Sequence, residues 1–361
     1  MSILHTRLCE LLGCEYPIIQ TAMGWVTGPE IVAASGNAGG FGFLAGATIP
    51  PDEIERDILK TKSLTDAPFG VNFHMYQPNA ADIVELVIKH KVRAVSYSRS
   101  PGGEMIARLK EHGVKCVPTI GLPKHAIKAI QLGADAVTVQ GGEGGGHTGS
   151  VPTSLLIPQV VDAVDGKVPV AAAGGFKDGR GLVAALAWGA DGIAMGTRFL
   201  MAKESSPPDA TKQRYVECNN PSEIIVSKAV DGLPQRMINN EMLMRLENAN
   251  PLTKFIIAIG SGLKFRKHTG ASLTSLIKSA IAMAKSDDMT VTQAIMSANA
   301  PMIIQKAMVD GQPASGVLPS GQVAGVIGDV LSCEDIIHGI AAEAEQRLRV
   351  LAAMTNKETL Q

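Results

Sequence analysis

Eight short apolar runs recur along roughly the first 200 residues at a nearly constant interval, and this ladder limits the fold more than any other feature. The runs begin near Pro17, Gly40, Phe69, Ala94, Lys115, Ala136, Val168 and Gly192, so successive starts lie 23, 29, 25, 21, 21, 32 and 24 residues apart. Each interval has room for a strand, a helix and two short loops. The runs are apolar throughout rather than alternating, as expected for strands covered on both faces. Between them, stretches 54–64, 82–91, 105–112 and 124–132 carry apolar residues at three- and four-residue spacing, the helical period. Gly113, Gly133 and Gly189 fall between such a stretch and the next run, where a left-handed helix cap is usual. LGADAVTVQG and WGADGIAMGT read as two copies of one helix-to-strand corner. Eight evenly spaced βα units predict an α/β fold, a TIM (β/α)8 barrel, with a doubly wound open sheet as the alternative.

The ladder stops after Leu200. Residues 205–310 contain a Pro pair, Asn-Pro steps and helical stretches, but no further strand run. The expected organisation is a barrel in 1–204 and 311–361, with a mainly helical domain at 205–310 inserted after strand eight. Such an insert could form a lid or the surface of a homodimer. The last segment, Cys333 to Met354, reads as a long amphipathic helix able to close the barrel from outside.

Composition narrows the partners. Lys plus Arg is 33 and Asp plus Glu is 34, a balance that argues against a broad nucleic-acid surface. Aromatic residues are only 4%, too few for base-stacking platforms. The five cysteines have no C-x-x-C spacing and their number is odd, against a zinc ribbon or a disulfide framework. No signal peptide and no membrane-length apolar stretch is evident, so the expected setting is reduced and cytoplasmic, with no membrane partner and no bound metal. The expected partner is a small-molecule substrate.

In a barrel of this kind ligands sit at the C-terminal ends of the strands. There the seventh run ends in Gly174-Gly175 and the eighth in Gly196-Thr197, each leading into a helix. Loops at these two places are the usual phosphate grip of the fold, although tight turns alone would also call for glycine. The loop after the sixth run, Gln140 to Gly149, has six glycines in ten residues and could lie flat against a ring system. His147 projects from it and could give or take a proton near neutral pH. Glu143 is a second candidate base, or a locally paired carboxylate. The first run ends in Ala22-Met23-Gly24, small or pliable residues that would let a ring approach, with Met23 as barrel filler the plainer reading. Asn72 in the third run offers hydrogen bonds in both directions. Gln322, in a late Ser-Gly-Gln step, reads as part of a helix cap or as a side chain brought over the barrel mouth. Lys264, Arg266 and Lys267 form a basic cluster, a solvated face or a hold for the phosphates of a CoA ester.

Taken together, GGEGGGHTG, AAGGFKDGRG, MGTRF and the late SGQ resemble, in order and spacing, the nitronate monooxygenase (2-nitropropane dioxygenase) superfamily of FMN-dependent TIM barrels, over essentially the whole chain. The resemblance implies that Ala22, Met23, Gly24, Asn72, Gln140, Gly145 and Gln322 contact the flavin and its ribityl chain. It implies that Gly174, Gly175, Gly196 and Thr197 grip the FMN phosphate, and that His147 is catalytic. Thr119 occupies a flavin-contacting position where some relatives, including quinone reductases, carry Lys. QTAMGWV, FRK at 265–267, ANAPM at 298–302 and SGQVAG are similar to the FMN-dependent carbon–carbon oxidoreductases of bacterial steroid breakdown, which act on CoA thioesters. The implied activity is a carbon–carbon dehydrogenase or reductase on such a thioester, with Lys264, Arg266 and Lys267 binding substrate. The rivals are nitronate oxidation with dioxygen, and a flavin-free phosphate-binding isomerase or ligand sensor.

Overall fold

The computed structural model describes residues 3–47, 49–74, 77, 79–98, 102–249 and 291–358. In chain order its strands are β1 (Ile18–Gln20), β2 (Phe41–Ala45), β3 (Gly70–His74), β4 (Ala94–Ser98), β5 (Lys115–Ile120), β6 (Val137–Gln140), β7 (Gly146–His147), β8 (Val170–Ala173), β9 (Gly192–Met195), β10 (Ile224–Ser227), β11 (Gln235–Ile238) and β12 (Leu318–Pro319). The chain forms two compact units, one of residues 1–144, 148–206 and 327–361, the other of 145–147 and 207–326.

The first unit is a closed barrel of eight parallel strands in the order β1-β2-β3-β4-β5-β6-β8-β9, with β9 pairing back onto β1. Each of the eight apolar runs supplies one strand. Strand alternation divides the apolar residues into two sets. Ile18, Val71, Phe73, Val95, Tyr97, Val137, Val139 and Ile193 pack outward among the helices. Ile19, Phe41, Phe43, Ala94, Val117, Ala136, Ala171 and Ala194 fill the interior. Large and small side chains interlock there: Phe41 and Phe43 meet edge to face with centroids 5.1 Å apart. Across from them Gly70 has no alternative, since a Cβ would stand 2.3 Å from a Phe43 ring carbon.

The helix Arg7–Leu12 stoppers the N-terminal end, placing Leu8, Cys9 and Leu12 among the interior residues. Arg7 pairs with Asp191, and the Thr6 hydroxyl donates to the Asp191 carbonyl at 2.6 Å. Asp191 belongs to one of the two repeated corners, and both corners work alike. Asp191 accepts from Val170 N and Asp135 from Cys116 N, each at 2.9 Å, so each carboxylate secures the start of the preceding barrel strand. Gly113, Gly133 and Gly189 have φ of +76°, +99° and +89°, the left-handed caps that the sequence predicts. The helix Cys333–Glu358 packs against Gly179–Ala187 and Pro29–Asn37 on the barrel's outside. A Cβ on Gly179 would lie 2.5 Å from Ala344 N, so this approach requires glycine.

The second unit holds an antiparallel sheet in which β11 pairs with β10, β12 and the two-residue β7. Met237, Leu243, Leu246, Ala300, Ile303 and Val317 form its core. Its extent differs from the expected 205–310. Ser205 and Ser206 stay with the barrel unit, because their hydroxyls donate to carbonyls of Leu200, Ala202, Trp25 and Val26. At the other end Leu318 and Pro319 pair with Ile238 and Met237, which draws residues up to 326 into the second unit. Strands of two to four residues are too short to show a period, which is why the sequence alone predicts a mainly helical insert. Among the described residues no helix is long and apolar enough to cross a membrane.

Candidate functional site

In the barrel unit, the face at the C-terminal strand ends gathers most of the sequence-derived positions. With interior residues at 19, 43, 94, 117, 136 and 171, alternation also turns Asn72, Ser96, Thr119, Thr138 and Gln140 inward, nearer the mouth. The interior therefore changes from apolar at the stoppered end to polar at the open one. Asn72 Nδ2 donates to Ser96 O at 3.1 Å and Ser96 Oγ at 3.0 Å. That leaves its acceptor Oδ1 without a hydrogen bond among the described residues, suited to a ring N–H. Thr119 is half-buried and stands opposite Thr138.

After β8, Gly174 and Gly175 both lie in the left-handed region, with φ of +102° and +81°. A Cβ on Gly174 would come within 3.0 Å of Thr153 Oγ1, whereas one on Gly175 would meet only Glu143 methylenes, at 3.5 Å and beyond. After β9, Gly196 caps the helix Thr197–Leu200, and its missing Cβ would touch Met23 Sδ and Thr21 Cγ2 at 3.4 Å. This brings the Met23 segment and the second glycine loop together. Ala22, Met23 and Gly24 enter a tight turn in which Val26 N and Thr27 N donate to Met23 O at 3.0 and 3.1 Å. Trp25 there has a φ of +60°, unusual for a residue with a side chain.

These features fit a flavin mononucleotide in kind. The left-handed glycine backbone after β8 and the helix start at Gly196 suit a phosphate, Met23 offers an apolar flank for a flat ring, and Asn72 offers an acceptor.

Glu143 is locally paired. Thr153 N donates to its Oε2 at 2.8 Å and the Thr153 hydroxyl lies 2.5 Å from the same oxygen. Several loop glycines also answer to their own neighbours. A Cβ on Gly141 would strike Thr153 at 2.2 Å, and one on Gly144 would strike Gln140 Nε2 at 2.5 Å.

In the second unit, β7 carries His147 directly opposite Gln235 of β11. His147 Nε2 and Asp231 Oδ2 are 2.7 Å apart, and Gln235 Nε2 donates to the same oxygen at 2.5 Å. Leu233 N donates to Asp231 Oδ1 at 3.0 Å. The Asp231 side chain is 7% exposed and that of His147 is 61% exposed, so a buried carboxylate fixes a ring that faces out. Burial alone would raise the Asp231 carboxyl. The bonds from His147, Leu233 N–H and Gln235 outweigh it and hold the group below the usual Asp range. Gly145 lies against the Ser320–Gly321 step, where a Cβ would be 2.5 Å from Gly321 N. Gln322, half-buried, begins the 3-10 turn Gln322–Val326.

Asp231 and Gln235 escaped the sequence reading. The available signal was Asp231-Gly232, a turn dipeptide between two short strand-like runs, and nothing in it points to position 147. Lys264, Arg266 and Lys267 lie outside the described residues.

The sequence pattern of the nitronate monooxygenase family matches residues 5–343. A (3aS,4S,5R,7aS)-5-hydroxy-7a-methyl-1-oxo-octahydro-1H-indene-4-carboxyl-CoA dehydrogenase of Rhodococcus jostii (strain RHA1) is 49% identical, covering 98% of this chain and 99% of its own. A probable nitronate monooxygenase of Staphylococcus saprophyticus is 33% identical, covering 67% of this chain and 81% of its own. Among solved structures, FabK from Thermotoga maritima superposes with a TM-score of 0.79 at 30% identity, over 97% of this chain and 99% of that one. With the family pattern spanning nearly the entire barrel-bearing chain, the protein belongs to the nitronate monooxygenase family and is a flavin-linked oxidoreductase.

Proposed function

We propose that the protein is a cytoplasmic FMN-dependent carbon–carbon dehydrogenase or reductase acting on a CoA thioester intermediate of steroid ring breakdown. The observation that carries this reading is the extent of similarity. The CoA-ester dehydrogenase of Rhodococcus jostii aligns over 98% of the chain, whereas the staphylococcal nitronate monooxygenase aligns over 67%.

A thioester acidifies the adjacent carbon, so the reaction needs a base or acid there and a hydride partner. FMN supplies the hydride exchange when bound. Gly174, Gly175, Gly196 and Thr197 would hold its phosphate, with Ala22, Met23, Gly24, Asn72, Thr119, Gln140, Gly145 and Gln322 along the ribityl chain and ring. His147 would exchange the substrate proton. With Nε2–H donated to Asp231, the basic ring nitrogen is Nδ1, and the buried carboxylate stabilises the imidazolium as it forms. Lys264, Arg266 and Lys267, by their sequence clustering, would meet the CoA phosphates.

The test is anaerobic bleaching of the bound flavin. The hydroxylated bicyclic CoA thioester should bleach it, and propionate nitronate should do so far more slowly. Prompt bleaching by the nitronate with none by thioesters would overturn the proposal in favour of nitronate oxidation.

A further inference from the structure

His74 is the last residue of β3 and is exposed. It stands two residues beyond Asn72, so both point to the same, inward side. The neighbouring strand answers each in the same way. Asn72 is opposite Ser96 and bonded to it, and His74 is opposite Ser98 with Nδ1 2.9 Å from Ser98 Oγ. The strand end is fixed as well: Gln77 Oε1 accepts from His74 N at 2.8 Å, and Gln77 Nε2 donates to Asn79 Oδ1 at 2.7 Å. An exposed imidazole is thus held in place before any ligand arrives, which lowers the cost of ordering it on binding.

We infer that His74, oriented by Ser98, is a specificity-determining residue that hydrogen-bonds a ring-borne oxygen of the substrate's acyl group. This rests on the CoA-thioester reading. Asn72 is the flavin-side position, and His74 lies roughly 7 Å further along the same strand face, about the reach of a fused ring whose reacting carbon meets the flavin. A hydroxyl or ketone leaving water for such a mouth needs a polar partner, and a His–Ser pair suits a neutral oxygen better than a phosphate. The CoA-ester dehydrogenase of Rhodococcus jostii is described for a substrate bearing both a hydroxyl and a ketone on its rings.

The experiment compares holoenzyme, His74→Ala and Ser98→Ala with three thioesters: the full substrate, one lacking the ring hydroxyl and one lacking the ring ketone. Melting temperature and FMN content are checked for each variant. His74→Ala should raise KM for the full substrate about tenfold, with kcat within about twofold, the size of one lost hydrogen bond. Ser98→Ala should do the same more weakly. Against one of the two shortened thioesters wild type and His74→Ala should be equal, and that analogue identifies the oxygen. Equal loss on all three thioesters, no loss on any, or loss of FMN overturns the inference while leaving the proposed function standing. A wild-type holoenzyme that oxidises or reduces none of the thioesters overturns both.

Discussion

His147 and Gln235 face each other across the β7–β11 ladder and converge on a single oxygen, Asp231 Oδ2. The carboxamide thereby holds the carboxylate in the orientation that the imidazole needs. Replacing His147 with Ala should leave FMN bound while turnover falls by roughly 10²–10⁴-fold. Asp231→Asn should lower turnover by roughly 100-fold through the same ring, again with flavin retained. Flavin absorbance and single-turnover rates measure both, and loss of flavin in either variant would make the dyad structural.

Asp231 also carries a prediction about acid stability. Its folded-state pKa is depressed, so its contribution is complete above the ordinary Asp value near 3.8 and is lost as pH falls below it. The stability gap between wild type and Asp231→Asn should therefore narrow as pH falls below about 4. Chemical denaturation across that range would reveal it, and a gap that widens toward acid would contradict the assignment.

The two glycines after β8 should separate binding from folding. Gly175→Asp puts a carboxylate where the phosphate is proposed to sit and should abolish FMN binding in a folded protein. Gly174→Ala forces a side chain into the left-handed region beside Thr153 and should cost about 1–2 kcal/mol of stability. Equilibrium dialysis with FMN and denaturant titration distinguish the two effects.

Glu143 should prove structural. Its Oε2 is already engaged by Thr153, so Glu143→Gln is expected to keep turnover within about threefold while losing about 1 kcal/mol of stability. A collapse of turnover in a stable variant would restore it as a base.

The barrel could be read from the sequence because each strand is an apolar run, a local signal that repeats eight times, and glycines such as Gly113, Gly133 and Gly189 mark several of the helix ends. The repeated Asp135 and Asp191 corners are visible in the sequence, whereas the strand starts they secure are visible only in the fold. The sheet of the second unit was not legible, since β7 and β12 have two residues each and their pairing is decided by partners far along the chain. For the same reason His147 was legible and Asp231 was not: 84 residues separate them, and only the folded sheet makes them neighbours. The glycine loop misleads in the opposite direction. It suggests a surface cleared for a ligand, whereas Gly141 and Gly144 are required by Thr153 and Gln140.

Leu8, Cys9 and Leu12 make the barrel a blind well. Whatever binds at its polar rim has no exit through the floor. A substrate and a second reactant that both need the bottom of that rim must therefore use one doorway in turn. Initial-rate plots at several fixed concentrations of the second reactant should be parallel lines, the pattern of a reaction in which the first product departs before the next molecule enters.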